Sequence, residues 1–171
     1  MKASEFVMQL KALQPSRKDL LALGFSGPAL EQLIRSYECI PTHQSGADNP
    51  ILELCSSHDV SSVEIGYVHL MNVRKPYEDP VQFGYIEDDP LLLVPSSDFI
   101  WVADHSRKSH VVWECAATSH GFLEALLTIS QVSTRLLLGD TAVDVAGASE
   151  WCASVAGGDR YSKFWSMLLG R

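Results

Sequence analysis

His105, His110, Cys115 and His120 recur every five residues, and imidazole and thiol groups are the usual ligands of zinc. A five-residue step matches neither the two-residue period of a strand face nor the i, i+4 spacing of a helical metal pair. These four side chains are therefore expected to point in different directions, and neither a metal nor any other cofactor is expected. Asp104 beside His105, with His110 nearby, has the residue types of an acid and base pair. A small hydrolase built on these three groups needs a nucleophile, and the chain contains neither a G-x-S-x-G elbow nor a P-loop. The run Glu87, Asp88, Asp89 offers carboxylates to a hard cation, but calcium loops alternate their ligands around a glycine, and here Pro90 and an apolar run follow. A solvated hairpin corner is the expected reading, and no catalytic residue is assigned.

Charge separates the function classes further. Of the 171 residues, positions 36–106 hold twelve acids against only Arg74 and Lys75, whereas the remainder holds nine acids and eleven bases. The acidic pole lies in the middle of the chain. Such a field repels phosphate backbones, so nucleic acid is not an expected ligand, while a basic protein would be drawn in. The same acids also help to keep a small domain soluble.

The elements that position these groups read as helices, then sheet, then helices. One α+β domain is expected over residues 1–171: mainly helical over 1–60, an antiparallel sheet over 62–115, and helices over 118–169. "ASEFVMQLKAL" has Phe6, Leu10 and Leu13 at helical spacing and stops before Pro15. "SRKDLLALG" opens with Ser16 as N-cap, "GPALEQLIRSY" has Pro28 in its first turn, and "PILELCSSH" follows Asn49. "CIPTHQSGADNP" reads as a loop. From Ser62 the period becomes two, with Val63, Ile65, Tyr67 and Met71 on one face. "VQFGYIE", "PLLLVP", "DFIWVAD" and "HVVWECA" complete a meander of about five strands, because connections this short force antiparallel neighbours. After Thr118 the helical period returns, with Phe122, Leu126, Ile129 and Leu136 sharing a face. Tyr161, Phe164, Trp165, Leu168 and Leu169 form the stripe of the last helix.

"GFLEALLTISQVSTRLLLG" carries Glu124, Gln131 and Arg135, which makes it an amphipathic helix rather than a membrane span. "MKASEFVMQLKAL" has charges inside its apolar pattern, unlike a secretory signal. Four scattered cysteines without a C-x-x-C pair then suggest reduced core thiols in a cytoplasmic protein. Most of Tyr67, Tyr85, Phe99, Trp101 and Trp113 should be core, since one sheet face must pack on helices. What remains is a sheet with acidic corners and amphipathic rings, a composition suited to a protein partner. The expected partner-binding residues are Glu78, Asp79, Glu87, Asp88, Asp89 and Asp98, with Tyr85 as an aromatic anchor.

"FGYIEDD", "PLLLV", a tight turn, "FIWVADH", a further strand and a helix opening "GFLEALL" together resemble the SUKH superfamily, which includes the yeast cell-wall assembly regulators and many bacterial immunity proteins. Gly84, Asp88, Asp89, Leu91, Leu92, Trp101, Asp104, His105, Phe122 and Leu126 carry the match, over about residues 78–130. "SYECIPTHQSG" stands where that pattern has an LP-x-x-Y and NGG pair. The resemblance implies a non-catalytic binding module, in bacteria an immunity factor that holds a toxin domain through the sheet side of the fold. A regulatory or scaffold protein of the same superfamily, with a cellular partner, is the alternative. The off-period histidines generate a first prediction: the purified protein should carry no stoichiometric zinc and keep its melting temperature in chelator, measured by metal analysis and thermal scan.

Overall fold

The computed structural model describes residues 1–42, 47–73, 78–107 and 109–170. Three short helices open it, α1 (Ala3–Leu13), α2 (Arg17–Ala22) and α3 (Gly27–Arg35). Their ends follow the local chemistry. The Ser16 hydroxyl accepts the Asp19 N–H at 3.1 Å, and Pro28 occupies the first turn of α3, where its missing N–H has no helical partner to lose. The Asn49 side chain accepts from the N–H groups of Ile51 and Leu52, which starts α4 (Pro50–Ser57). Strands β1 (Ile40–Pro41) and β2 (His58–Asp59) pair antiparallel on either side of α4, so part of the turn-rich stretch expected to be loop is extended and paired. Residues 43–46 of that stretch lie outside the described ones.

The sheet is a plain meander. Strands β3 (Glu64–Ile65), β4 (Val68–Leu70), β5 (Val81–Ile86), β6 (Asp89–Val94), β7 (Phe99–Ala103) and β8 (Val111–Ala116) lie side by side in chain order, each pair antiparallel. Among the described residues the sheet has six strands, close to the expected five, the additional one arising because the run from Val63 folds back on itself. Gly66 adopts φ 60, a conformation that costs glycine little, and Ile65 then pairs with Val68. Tyr67 falls in this turn and is 53% exposed instead of continuing the buried face of Val63 and Ile65. At Gly84 the sheet is closely built: a Cβ there would lie 2.5 Å from the His69 carbonyl oxygen on β4.

Three C-terminal helices follow, α5 (Ser119–Leu137), α6 (Val145–Ala156) and α7 (Ser162–Leu168), the last entered through a 3-10 turn at Asp159–Tyr161. The Thr118 hydroxyl caps α5 by accepting the Gly121 N–H at 3.1 Å. Gly121 also lets α6 approach, since a Cβ there would collide with the Val155 carbonyl. Phe122, Leu126 and Ile129 are wholly buried as their spacing requires, but Leu136 is not. A straight helix drifts about 20° for each seven-residue step, and near its C-terminal end α5 buries Val132 and Thr134 instead. The Thr134 hydroxyl meets the Tyr37 hydroxyl at 2.7 Å and ties the end of α3 to α5.

One contiguous core runs from Ala3 and Phe6 through the sheet to Trp165 and Leu168. Its centre is an aromatic series. Phe83 of β5 meets Phe122 of α5 edge-on, with centroids 5.6 Å apart. Phe122 meets Trp165 of α7 at 5.6 Å, and Trp165 meets Phe164 at 4.8 Å. These rings, rather than Tyr67, Tyr85, Phe99, Trp101 and Trp113, supply the aromatic core: Tyr67 and Tyr85 are exposed and the other three are half-buried. The causes differ. Gly66 turns the chain just before Tyr67, a register shift between Gln82 and Gly84 sets Tyr85 on the face opposite Phe83, and for Phe99 and Trp101 alternation assigns a face without saying which one the helices cover.

Among the described residues no helix is long and apolar enough to cross a membrane. The last helix generates a second prediction. Trp165 is fully buried, and its indole N–H donates to the Cys115 carbonyl at 3.0 Å. Trp165→Ala should destabilise the protein by about 3–5 kcal/mol through lost transfer energy and the remaining cavity, read as a lowered denaturant midpoint. An unchanged midpoint would show that the α7 stripe is not holding the core.

Candidate functional site

Register divides the sheet into a covered and an open face. Phe83, Leu91, Leu93, Ile100 and Val102 are at most 1% exposed, and Phe83 packs on Phe122 of α5. Residues that pair directly across strands share a face. Glu64, His69, Tyr85 and Pro90 form one such row across β3 to β6. Gln82, Leu92, Trp101 and Glu114 form another across β5 to β8. Tyr85 is 39% exposed and lies flat against the His69 ring, with centroids 4.8 Å apart and planes 7° apart. His69 in turn faces Glu64 at 3.7 Å. Beside this row a groove of about 530 Å³ separates the sheet from α3, lined in part by Arg35, Ser61, Glu64, His69 and Tyr85. At the β8 edge, Arg160 clasps the Glu114 carboxylate through Nε at 2.8 Å and through Nη2, and its guanidinium lies 5.7 Å from the Phe99 ring centroid.

The acidic residues named from the sequence fall at two ends of this sheet. Glu87 and Asp88 are exposed in the two-residue turn joining β5 to β6, where Glu87 adopts φ 53, and Asp89 begins β6. Glu78 and Asp79 are exposed just before β5, at the end where Val81 pairs with Leu93. Asp98 lies in the β6–β7 turn at that same end. Along β5 the two ends are about 17 Å apart at the usual rise of a strand. Tyr85, paired with Pro90, belongs to the Glu87 end.

Asp98 is not a free corner. One carboxylate oxygen accepts from the Ser119 hydroxyl and from Asn49 Nδ2 at 2.7 Å, and the other accepts the Ser119 N–H at 3.0 Å. Asn49 also donates to the Ser119 hydroxyl at 2.8 Å. The carboxylate thus sits at the N-terminus of α5, where the helix dipole favours a negative charge, and ties the starts of α4 and α5 to the β6–β7 turn. Its backbone holds φ 60. No local motif announces this node, because its three residues are spread from position 49 to position 119.

At the opposite end a second group forms that sequence reasoning saw only in part. Leu91 pairs with Val102, and continuing that register by two residues sets Asp89 against Asp104. Like charges placed directly opposite one another repel. His105 relieves the pair: its ring Nδ1 and its backbone N–H both meet Asp89 Oδ1 at 2.9 Å. Asp104 turns its Oδ1 to the N–H and hydroxyl of Ser106 and to the N–H of Arg107. These bonds hold the Asp104 carboxyl below its ordinary pKa, the Ser106 hydroxyl contributing most. The Asp89 hydrogen bond raises the His105 pKa, with smaller contributions from the charges of Asp89, Asp104 and Asp88. Donor atoms of Asp89, Asp104 and His105 lie within 4.8 Å of one another. Both carboxylates already use an oxygen as acceptor within the loop, so the group is a carboxylate–imidazole clasp and is not assigned as a metal centre.

The five-residue series does not converge, as its spacing predicts. Cys115 is wholly buried, whereas His105, His110 and His120 are exposed. The acid and base arrangement weighed for Asp104, His105 and His110 takes a different form, since the imidazole of His105 meets Asp89 across the strands. Cys55, Cys115 and Cys152 are buried and Cys39 is partly so, all free thiols. Burial pushes the Cys39 and Cys152 thiols up to about 12, which leaves them protonated and weakly nucleophilic.

Compared with protein families, with curated proteins and with solved structures, the chain matches none. The Asp98 node generates a third prediction. Asp98→Ala should cost about 1–3 kcal/mol, because it strips the acceptors from Ser119 and Asn49, while Glu87→Ala should change stability by less than about 0.5 kcal/mol. Equal, small shifts in denaturant midpoint would show that Asp98 is an ordinary surface acid.

Proposed function

We propose that this chain is a non-catalytic protein-binding module that docks a basic partner on the open face of its sheet, at the end carrying Glu87, Asp88 and Asp89. The observation that carries the reading is the juxtaposition of Tyr85, an exposed ring stacked on His69, with an acidic turn two residues further along the chain. A rigid aromatic beside a charged rim is the composition of an interface hot spot, and the acids steer a basic partner toward it. The resemblance to the SUKH superfamily gives the biological setting: an immunity-type factor, most naturally cytoplasmic, that neutralises a basic toxin domain by binding it. Within the sequence-named set, Glu78 and Asp79 are outlying rim charges at the far end of the sheet. Asp98 is spent on the fold and is left out of the surface.

The test follows from the role of each acid. Asp89 holds His105, so its replacement would disturb the loop as well as the charge, and Glu87→Lys with Asp88→Lys is the cleaner variant. After a partner is captured from native lysate and purified, the double variant should associate at least about tenfold more slowly at low salt, with a smaller deficit at high salt. Association that is unaffected across ionic strength would remove the acidic turn from the interface. Tyr85→Ala should chiefly raise the dissociation rate, as truncation of a hot-spot ring does.

A further inference from the structure

The acidic end carries an imidazole within hydrogen-bonding reach of its carboxylates. His105 is 62% exposed in its side chain and touches Asp89 twice. Asp89 and Asp104 face one another across β6 and β7, and Asp88 adds a third negative charge from the adjacent turn. Arg107 and His110 belong to the same β7–β8 connection: the Arg107 N–H donates to Asp104, and the backbones of Asp104 and His110 are hydrogen-bonded. Glu87, Asp88, Asp89 and Asp104 share this end with His105, so its charge changes when His105 gains or loses a proton.

We propose that His105 is a proton-operated latch on the docking corner: protonated, it occupies Asp89 and offsets the corner's charge, and neutral, it leaves Asp89 available to a basic partner. The inference rests on the docking reading above and adds its regulation. The imidazolium and a partner's lysine or arginine compete for the same carboxylate. Binding of the partner therefore expels the proton, and loss of the proton strengthens binding. By thermodynamic linkage the two effects are equal in free energy.

Its stability consequence has a definite sign. The folded-state pKa of His105 lies above the ordinary value of 6.5. The contribution of the latch is therefore fully present below about 6.5 and is lost as pH rises through the folded value. Partner affinity runs the other way and increases across the same window. The loop is thus held most firmly at the pH where the corner is least attractive to a cation.

The experiment uses the full chain with decalysine as the basic probe, its affinity followed by fluorescence anisotropy at low salt between about pH 5 and about pH 8. Wild-type affinity should rise about two- to fivefold across that range, the span of one exposed charge pair. His105→Gln should lose most of that rise, and His105→Arg should bind weakly throughout. Imidazole NMR should place the wild-type His105 pKa above the ordinary range, return it toward that range in Asp89→Asn, and lower it when decalysine is added. The same rise in His105→Gln as in wild type, or no movement of the His105 resonance on adding the probe, would overturn the latch while leaving the docking surface standing. Decalysine affinity that is indifferent to Glu87→Lys and Asp88→Lys at every pH would overturn the docking reading, and the latch with it.

Discussion

The contact between Phe122 of α5 and the rings on either side of it organises this protein. Phe83 presents a sheet strand to one side, Trp165 presents the last helix to the other, and each meets Phe122 with centroids 5.6 Å apart. Large aromatic surfaces fully withdrawn from water dominate the energetics of a core of this size. Because all three rings lie on one side of the sheet, they fix which face is covered. The residues pointing the other way, Tyr85 and His69 among them, are left to water by the same contact. The open face follows from the aromatic series on the covered one.

A second division follows along the strands. Every connection from β5 to β8 is a tight turn or short loop, so acids that interrupt the apolar runs are carried to the strand ends. The meander sends Glu87, Asp88, Asp89 and Asp104 to one end and Glu78, Asp79 and Asp98 to the other. The two ends use their charge differently. Asp98 is placed where three backbone and side-chain donors converge on it, and its charge serves the start of α5. Glu87 and Asp88 are held out by a turn with positive φ at Glu87 and are exposed to solvent.

Much of the fold was legible in the sequence because its signals are local. Ser16, Pro28, Asn49 and Thr118 mark helix starts by chemistry that acts within one turn, and the period-two runs of β5 to β8 mark a meander. Most of the misassignments come from information that is not local, with one exception. Gly66 inside an alternating run was a usable sign of a turn, and taking it would have moved Tyr67 out of the core. Alternation would put Phe83 and Tyr85 on one face, and a shift in the β5–β6 register between Gln82 and Gly84 turns them to opposite faces, an irregularity that no period announces. The Asp98 node joins residues 49, 98 and 119, which no motif links. Asp89 and Asp104 could be brought together only by counting register through the β6–β7 turn, so His105 read as the neighbour of Asp104 when its partner lies across the strands.

That cross-strand pair bears on why the corner is arranged as it is. Two opposed carboxylates on adjacent strands weaken the sheet end unless a cation or strong donors attend them. Asp104 is supplied by the loop itself, through Ser106 and Arg107, and these bonds persist over the range in which histidine titrates. Asp89 is supplied by His105, whose backbone N–H donates at any pH but whose imidazolium charge is lost on deprotonation. An arginine or lysine in place of His105 would hold Asp89 at every physiological pH and remove it from any contact with a partner. Histidine holds it conditionally, which is useful only if the carboxylate has a second claimant. On an open sheet face with an exposed aromatic ring beside it, the basic protein proposed above would be that claimant.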